Sequence, residues 1–224
     1  MSLPDGVHAF TQTVEQDGVE NTIHPSAVET PKGLLLVDVG YRGSEAQIEA
    51  NLESAGFEWD DVRAVVLTHQ DGDHAGALST IVDRTNAVVY AHERCTPYVD
   101  GRMHPIKMAD GDRYEPVDVD VELVGGVSFR TEAGPMEVVF TPGHTPGHVV
   151  LYLSEARSLL AGDALTADES GLLGPSEQYT LEMEEALDSA AELATREIET
   201  VLCHHGGVVE ADGDRIREIV DSIR

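Results

Sequence analysis

"VVLTHQDGDHAGAL", residues 65–78, sets an apolar run directly against a cluster of donor side chains. Val65, Val66 and Leu67 read as the end of a buried strand. His69, Asp71, Asp73 and His74 follow within six positions, spaced by Gln70 and Gly72. A strand that ends there holds its last residues rigidly, and a turn containing glycine lets several short side chains face one point. Two imidazoles and two carboxylates so arranged suit a divalent cation. A calcium hand fails on spacing: counted from Asp71, the fifth position is Ala75 and the twelfth Val82, where oxygen ligands are required. Asp71 raises its own question: why a carboxylate rather than a third imidazole stands at the centre of the set.

The same pattern recurs outward along the chain. "GLLLVDVG" (33–40) is a buried strand ending in Asp-Val-Gly, and "SEAQIEANLESAGF" (44–57) reads as a helix. Ser44 and Gln47 form a capping-box pattern at its start, and Gly56 closes it. Residues 74–85 read as one helix and 87–93 as a strand, so the first half alternates strand and helix. "DVDVELV", "VSFRTEA" and "MEVVFTPG" are short and separated by glycines, which predicts antiparallel hairpins. "HVVLYLS" and "SLLAGDAL" continue the sheet, 168–178 is a loop, 181–197 an amphipathic helix, 199–207 a strand and 212–224 a closing helix. Two sheets packed face to face with helices outside, in a single domain spanning 1–224, fit this order.

Charge limits the partners. The 224 residues hold 42 acidic and 14 basic side chains, a net charge of -28, and the only lysines are Lys32 and Lys107. Acids spread along the whole chain give a surface that repels nucleic acid and anionic membranes. Self-repulsion of that size destabilises a compact state unless salt screens it, and the composition resembles that of proteins from salt-accumulating cytoplasms. A halophilic protein is the expectation. No apolar run approaches the ~20 residues that cross a bilayer, and the first residues show no signal-peptide pattern. A cytoplasmic location with free, buried Cys95 and Cys203 follows as an expectation.

Four stations place imidazole or carboxylate after a strand-like run: "THQDGDH" (68–74), "TPGHTPGH" (141–148), "AGDAL" (161–165) and "CHHGG" (203–207). Singly, each is a turn, a cap or a core histidine; together they describe a metal centre. His8, His24 and His104 lie outside these stations and read as ordinary histidines.

In this order the stations resemble the metallo-β-lactamase-fold hydrolase superfamily over residues 33–207. The resemblance implies an α/β fold, the αββα four-layer sandwich, with a centre of two divalent ions at one edge of the paired sheets. It assigns His69, Asp71 and His144 to a first ion. Asp73, His74 and a C-terminal histidine go to a second, with Asp163 bridging. That histidine is taken as His205, because glycine follows it, with His204 the substitute. His148 is implied as a support.

Zinc is the first choice of ion. Asp71 brings negative charge and favours harder ions, so iron or manganese stand beside it. The implied reaction is attack of a metal-bridging hydroxide on an ester, lactone or thioester, with Asp73 orienting the nucleophile as the catalytic carboxylate. Tyr179, in the loop after Asp163, is a candidate for binding a small-molecule substrate. A homodimer is compatible with an exposed sandwich face.

Other activities on this fold fit less well. A nuclease conflicts with the charge, a periplasmic lactamase with the missing leader, and glutathione recognition with the short C-terminal segment. Two rivals remain. One is a mononuclear iron persulfide dioxygenase using His69, His144 and Asp163; the other is a catalytically silent metal-binding protein on this fold.

Overall fold

The apolar runs become strands buried on both faces. The computed structural model describes residues 2–16, 18–109 and 111–224. Its first half contains β1 (Val7–Ala9), β2 (Gln12–Gln16), β3 (Val19–Ile23), β4 (Ser26–Thr30), β5 (Gly33–Val37), α1 (Glu45–Ser54), β6 (Val62–Val66), α2 (Gly72–Ala75), α3 (Leu78–Thr85), β7 (Val88–His92) and α4 (Thr96–Val99). The remainder contains β8 (Val121–Leu123), β9 (Ser128–Thr131), β10 (Gly134–Phe140), β11 (Val149–Leu153), β12 (Ser158–Gly162), β13 (Thr166–Asp168), β14 (Gly171–Leu173), α5 (Met183–Leu193), β15 (Thr200–Cys203), β16 (Gly207–Glu210) and α6 (Gly213–Ile223).

Two six-stranded sheets form, in the orders β1-β4-β5-β6-β7-β8 and β16-β15-β12-β11-β10-β9. Three apolar layers show how they stack. Leu34 and Leu36 of β5 face a core shared with Ile48 and Leu52 of α1 and with Leu78 and Ile81 of α3. Leu35 and Val37, pointing the opposite way, join Val66, Val138, Leu151, Leu160 and Leu202 between the sheets. Leu159 and Ala161 of β12 then meet Leu187 and Leu193 of α5 and Ile216 of α6. This is the expected αββα sandwich, and the continuous apolar runs follow from burial on both faces.

Four local expectations are corrected. Gln47 does not complete a capping box; its side chain takes both backbone groups of Thr13, accepting from the N–H at 2.8 Å and donating to the carbonyl at 3.0 Å. The Ser44 hydroxyl donates instead to the Tyr41 carbonyl.

The helix expected over 74–85 is two pieces, α2 and α3. The His74 carbonyl accepts from Val39 N–H and the Gly40 carbonyl from Ala77 N–H, so backbone groups that would continue the helix are tied to the loop after β5. Gly76 makes this approach feasible, since a Cβ there would overlap backbone atoms of Gly72 and Arg42. β8 is not a hairpin partner but extends the first sheet in parallel with β7. The loop expected over 168–178 begins within an antiparallel hairpin, β13–β14. Cys95 and Cys203 are free and buried, as expected.

Candidate metal centre

The chemistry-bearing side chains meet where strands end. Asp38 follows β5, His69 follows β6, His144 lies between β10 and β11, Asp163 follows β12, and His204 and His205 follow β15. Asp38 organises the first of these. Its carboxylate accepts from the Thr68 N–H at 2.8 Å and the Thr68 hydroxyl at 2.7 Å, and its Oδ2 lies 2.8 Å from His74 Nδ1. With Nδ1 turned to Asp38, Nε2 of His74 points away from it and would offer its lone pair to an ion that displaces its proton.

On that side His74 Nε2 lies 3.3 Å from Asp163 Oδ1 and 3.8 Å from Asp73 Oδ2. His205 Nε2 lies 3.1 Å from Asp73 Oδ2 and 3.5 Å from Asp163 Oδ2. These four residues therefore converge. His204 has a different position. Its Nε2 faces the Asp73 carbonyl at 3.1 Å, and its ring stacks on His74 with centroids 3.6 Å apart. Donor atoms of Asp73, His74, His204 and His205 all fall within 4.8 Å of one another.

The first group, His69, Asp71 and His144, also falls within 4.8 Å. His69 Nε2 is 3.1 Å and His144 Nε2 3.3 Å from Asp71 Oδ2. A third set links the two groups, with donor atoms of His69, His74 and Asp163 within the same span.

Support comes from the second histidine of "TPGHTPGH". His148 Nδ1 faces Thr141 Oγ1 at 2.9 Å, and its Nε2 accepts from the Asp163 N–H at 3.0 Å. Gly162 lets this happen: its φ is +49°, and a Cβ would stand 2.8 Å from His148 Nε2.

Electrostatics follow from packing acids around imidazoles. Burial drives the His74 pKa down, but Asp163, Asp38 and Asp73 outweigh it and hold it well above the usual histidine value. Burial likewise opposes His205, whose bonds to Asp163 and Asp73 raise it to about 9. Asp163 is pushed up by burial, yet His74 and His205 bring it well below the ordinary carboxylate range. His204, held chiefly by burial, falls to about 3.

Among the buried side-chain atoms that make no hydrogen bond within the described residues, His74 Nε2 and Asp163 Oδ1 face each other at 3.3 Å. Buried polar atoms are normally satisfied, so the pair marks where a cation fits. Asp73, His74, Asp163 and His205 thus fit a divalent ion.

The first group already faces a cation. Lys107 Nζ donates to Asp71 Oδ2 at 2.6 Å and to His144 Nε2 at 2.7 Å. The sequence reading missed this residue; rarity of lysine was its only signal. It also missed Asp38, whose signal was the end of the first buried strand. Tyr41 was overlooked too: burial, then Asp73 and Asp163, push its phenol up to about 12. Tyr179 is 58% exposed and its side chain makes no hydrogen bond among the described residues. Its neighbour Thr180 instead reaches His144 Nδ1 at 3.5 Å. His24 is not remote from the site, since it lies against Gly207 and its pKa is lowered by burial and by His205.

The sequence profile of the metallo-beta-lactamase superfamily matches residues 23–205, a span that takes in all these donors. The chain belongs to that superfamily. A relative named probable metallo-hydrolase YflN, from Bacillus subtilis (strain 168), is 29% identical over 226 residues, covering 90% of this chain and 84% of its own. A protein named hydroxyacylglutathione hydrolase, from Methylococcus capsulatus, is 30% identical over 149 residues, 63% of this chain and 52% of its own. Among solved structures, a metallo-beta-lactamase family protein from Thermus thermophilus, TTHA1429, superposes with a TM-score of 0.76 at 24% identity. It covers 99% of this chain and 79% of its own. Membership of a metallo-hydrolase superfamily and a His/Asp set fit for metal agree with the donor-based reading of the sequence.

Proposed function

We propose that this metallo-β-lactamase superfamily member hydrolyses an acyl bond (ester, lactone or thioester) of a small molecule, with a divalent ion at Asp73, His74, Asp163 and His205. The observation that carries the reading is the buried, unpartnered pair of His74 Nε2 and Asp163 Oδ1. Relatives named probable metallo-hydrolase and hydroxyacylglutathione hydrolase support hydrolysis, the latter a thioester substrate. Zinc suits two imidazoles and two carboxylates, and the added carboxylates keep iron and manganese in contention. The ion, when bound, polarises an acyl oxygen and lowers the pKa of water towards neutrality.

The chain's own groups do the rest. Asp38 holds the His74 ring so that Nε2 points to the donor cluster. Asp73, 19% exposed at its side chain and more open than Asp163, would orient an attacking water. Tyr41 keeps its phenolic proton and can donate it as a hydrogen bond to the substrate. Lys107 uses two N–H groups on Asp71 and His144, which leaves a third for an acyl oxygen. The persulfide-dioxygenase reading needs His144 Nε2 for iron, and that atom is engaged by Lys107.

The test is a panel of lactone, aryl ester and acyl thioester substrates, with zinc- and manganese-loaded protein. At least one class should turn over and a chelator should stop it. Asp163→Ala should lose both turnover and bound metal while its circular dichroism in molar salt is unchanged. Wild-type turnover by that variant, or no turnover of any class by fully loaded protein, contradicts the proposal.

A further inference from the structure

We propose that the Lys107 ammonium stands in the place of the first ion, so that this chain holds one divalent ion rather than two. The inference rests on the metal-dependent reading above and adds to it the number of ions and the reason for Asp71.

The contact geometry is that of a bound cation. Lys107 Nζ lies 2.6 Å from Asp71 Oδ2 and 2.7 Å from His144 Nε2. Two of the three donors that would hold a first ion therefore direct lone pairs at the ammonium. Such distances are those of charge-assisted hydrogen bonds. A divalent ion bound at ~2.0–2.3 Å from those same atoms would share its volume with Nζ. Both cannot be present.

The segment that delivers Lys107 is held by contacts other than those to the donor side chains. Arg113 donates to three carbonyls, those of Tyr114, Met103 and Tyr98. Tyr114 is buried, 2% exposed, and its hydroxyl donates to the Gln70 carbonyl at 2.8 Å, next to Asp71. Met108 packs on the core beneath α1 and α3 and lies against Gly72. The chain on both sides of Lys107 is thus seated against the turn that supplies Asp71.

Charge explains the pairing of two unusual residues. A third histidine at position 71 would be a neutral ligand for a dication. A carboxylate balances an ammonium one to one, and the partly buried pair leaves the first position neutral. Burial pushes the Asp71 carboxyl up, but His69, His144 and Lys107 outweigh it and keep it well below its ordinary range.

Residue choice fits as well. The chain uses twelve arginines and two lysines, and one of the two is here. A compact ammonium can occupy an ion's place, whereas a planar guanidinium cannot. The second position receives no such cation from the described residues. Its donors face one another with His74 Nε2 and Asp163 Oδ1 unpartnered. His69 stands between the two positions: its Nε2 lies 3.1 Å from Asp71 Oδ2, and a donor atom of its ring also falls within the set formed with His74 and Asp163.

The experiment is metal stoichiometry by plasma mass spectrometry on wild type, Lys107→Met and Lys107→Ala. Each is dialysed against excess zinc and then gel-filtered in molar KCl, which strips ions held loosely by the acidic surface. Wild type should retain one ion per chain. Lys107→Met, which keeps the apolar stem, should retain close to two, and Lys107→Ala the same. Circular dichroism establishes that each variant is folded, and either folded variant suffices. Two ions on wild type overturn the inference, because the ammonium has then moved aside. One ion on both wild type and a folded variant also overturns it, because Lys107 is then not what excludes the second. No ion on wild type or variants overturns the metal-dependent reading itself, a result distinct from the other two.

Discussion

His205 shows how single residues at the centre tie protonation to metal and to stability. Without an ion, its bonds to Asp163 and Asp73 raise its pKa from 6.5 to about 9. A raised folded-state value stabilises the folded chain fully below 6.5 and loses that contribution as pH rises through about 9. Chelator-treated protein is therefore expected to show a melting temperature that falls between those values. Ion-loaded protein, whose imidazole is deprotonated throughout, should not show that fall. Thermal melts across the window check this, and an identical profile with and without ion contradicts it.

Other residues were only partly legible in the sequence. His69, Asp73, His74, His144, Asp163 and His205 stood out because donor residues after apolar runs are a local pattern. Lys107 did not, because it reaches Asp71 across 36 positions and no spacing connects them. Asp38 was visible only as the end of a strand; its role depends on Thr68 and His74 arriving beside it.

At the scale of elements, strands buried on both faces were readable and their edges were not. β5, β11 and β12 are nearly continuous apolar runs because one face meets helices and the other meets the second sheet. β8 is three residues long, and nothing local distinguishes parallel addition to β7 from a hairpin. α2 and α3 read as one helix because the break comes from Val39 and Gly40, more than thirty positions earlier.

The junction after β12 carries the clearest consequence. Gly162 has φ of +49°, and a Cβ there would stand 2.8 Å from His148 Nε2 and 3.1 Å from the Thr68 side chain. Gly162→Ala is expected to cost about 1–3 kcal/mol through left-handed backbone strain and displaced neighbours. It should also lower metal content, since Asp163 N–H is held by that same His148 nitrogen. Urea unfolding read beside metal analysis checks both, and a variant as stable and as metal-rich as wild type contradicts the packing described.

For the whole molecule, a net charge of -28 sits on a fold with ordinary apolar layers. Surface arginines pair with acids, as in Arg84 with Glu49 at 3.1 Å and Arg196 with Glu137 at 2.9 Å. Fourteen basic side chains cannot neutralise 42 acidic ones. Exposed ion pairs contribute little each, so the folded chain is expected to need salt to screen the surplus. Lowering KCl from ~1 M to ~0.01 M lengthens the Debye screening distance from about 3 Å to about 30 Å and is expected to unfold the chain. Melts in a KCl series check this, and a salt-independent melting temperature contradicts it. Among the described residues no helix is long and apolar enough to cross a membrane.

The most direct measurement is an anomalous-difference map at the zinc absorption edge, from crystals of zinc-loaded protein grown in high salt. One peak among Asp73, His74, Asp163 and His205, with Lys107 Nζ still between Asp71 and His144, is the expected result. A peak bounded by His69, Asp71 and His144, or none at Asp163, would contradict it.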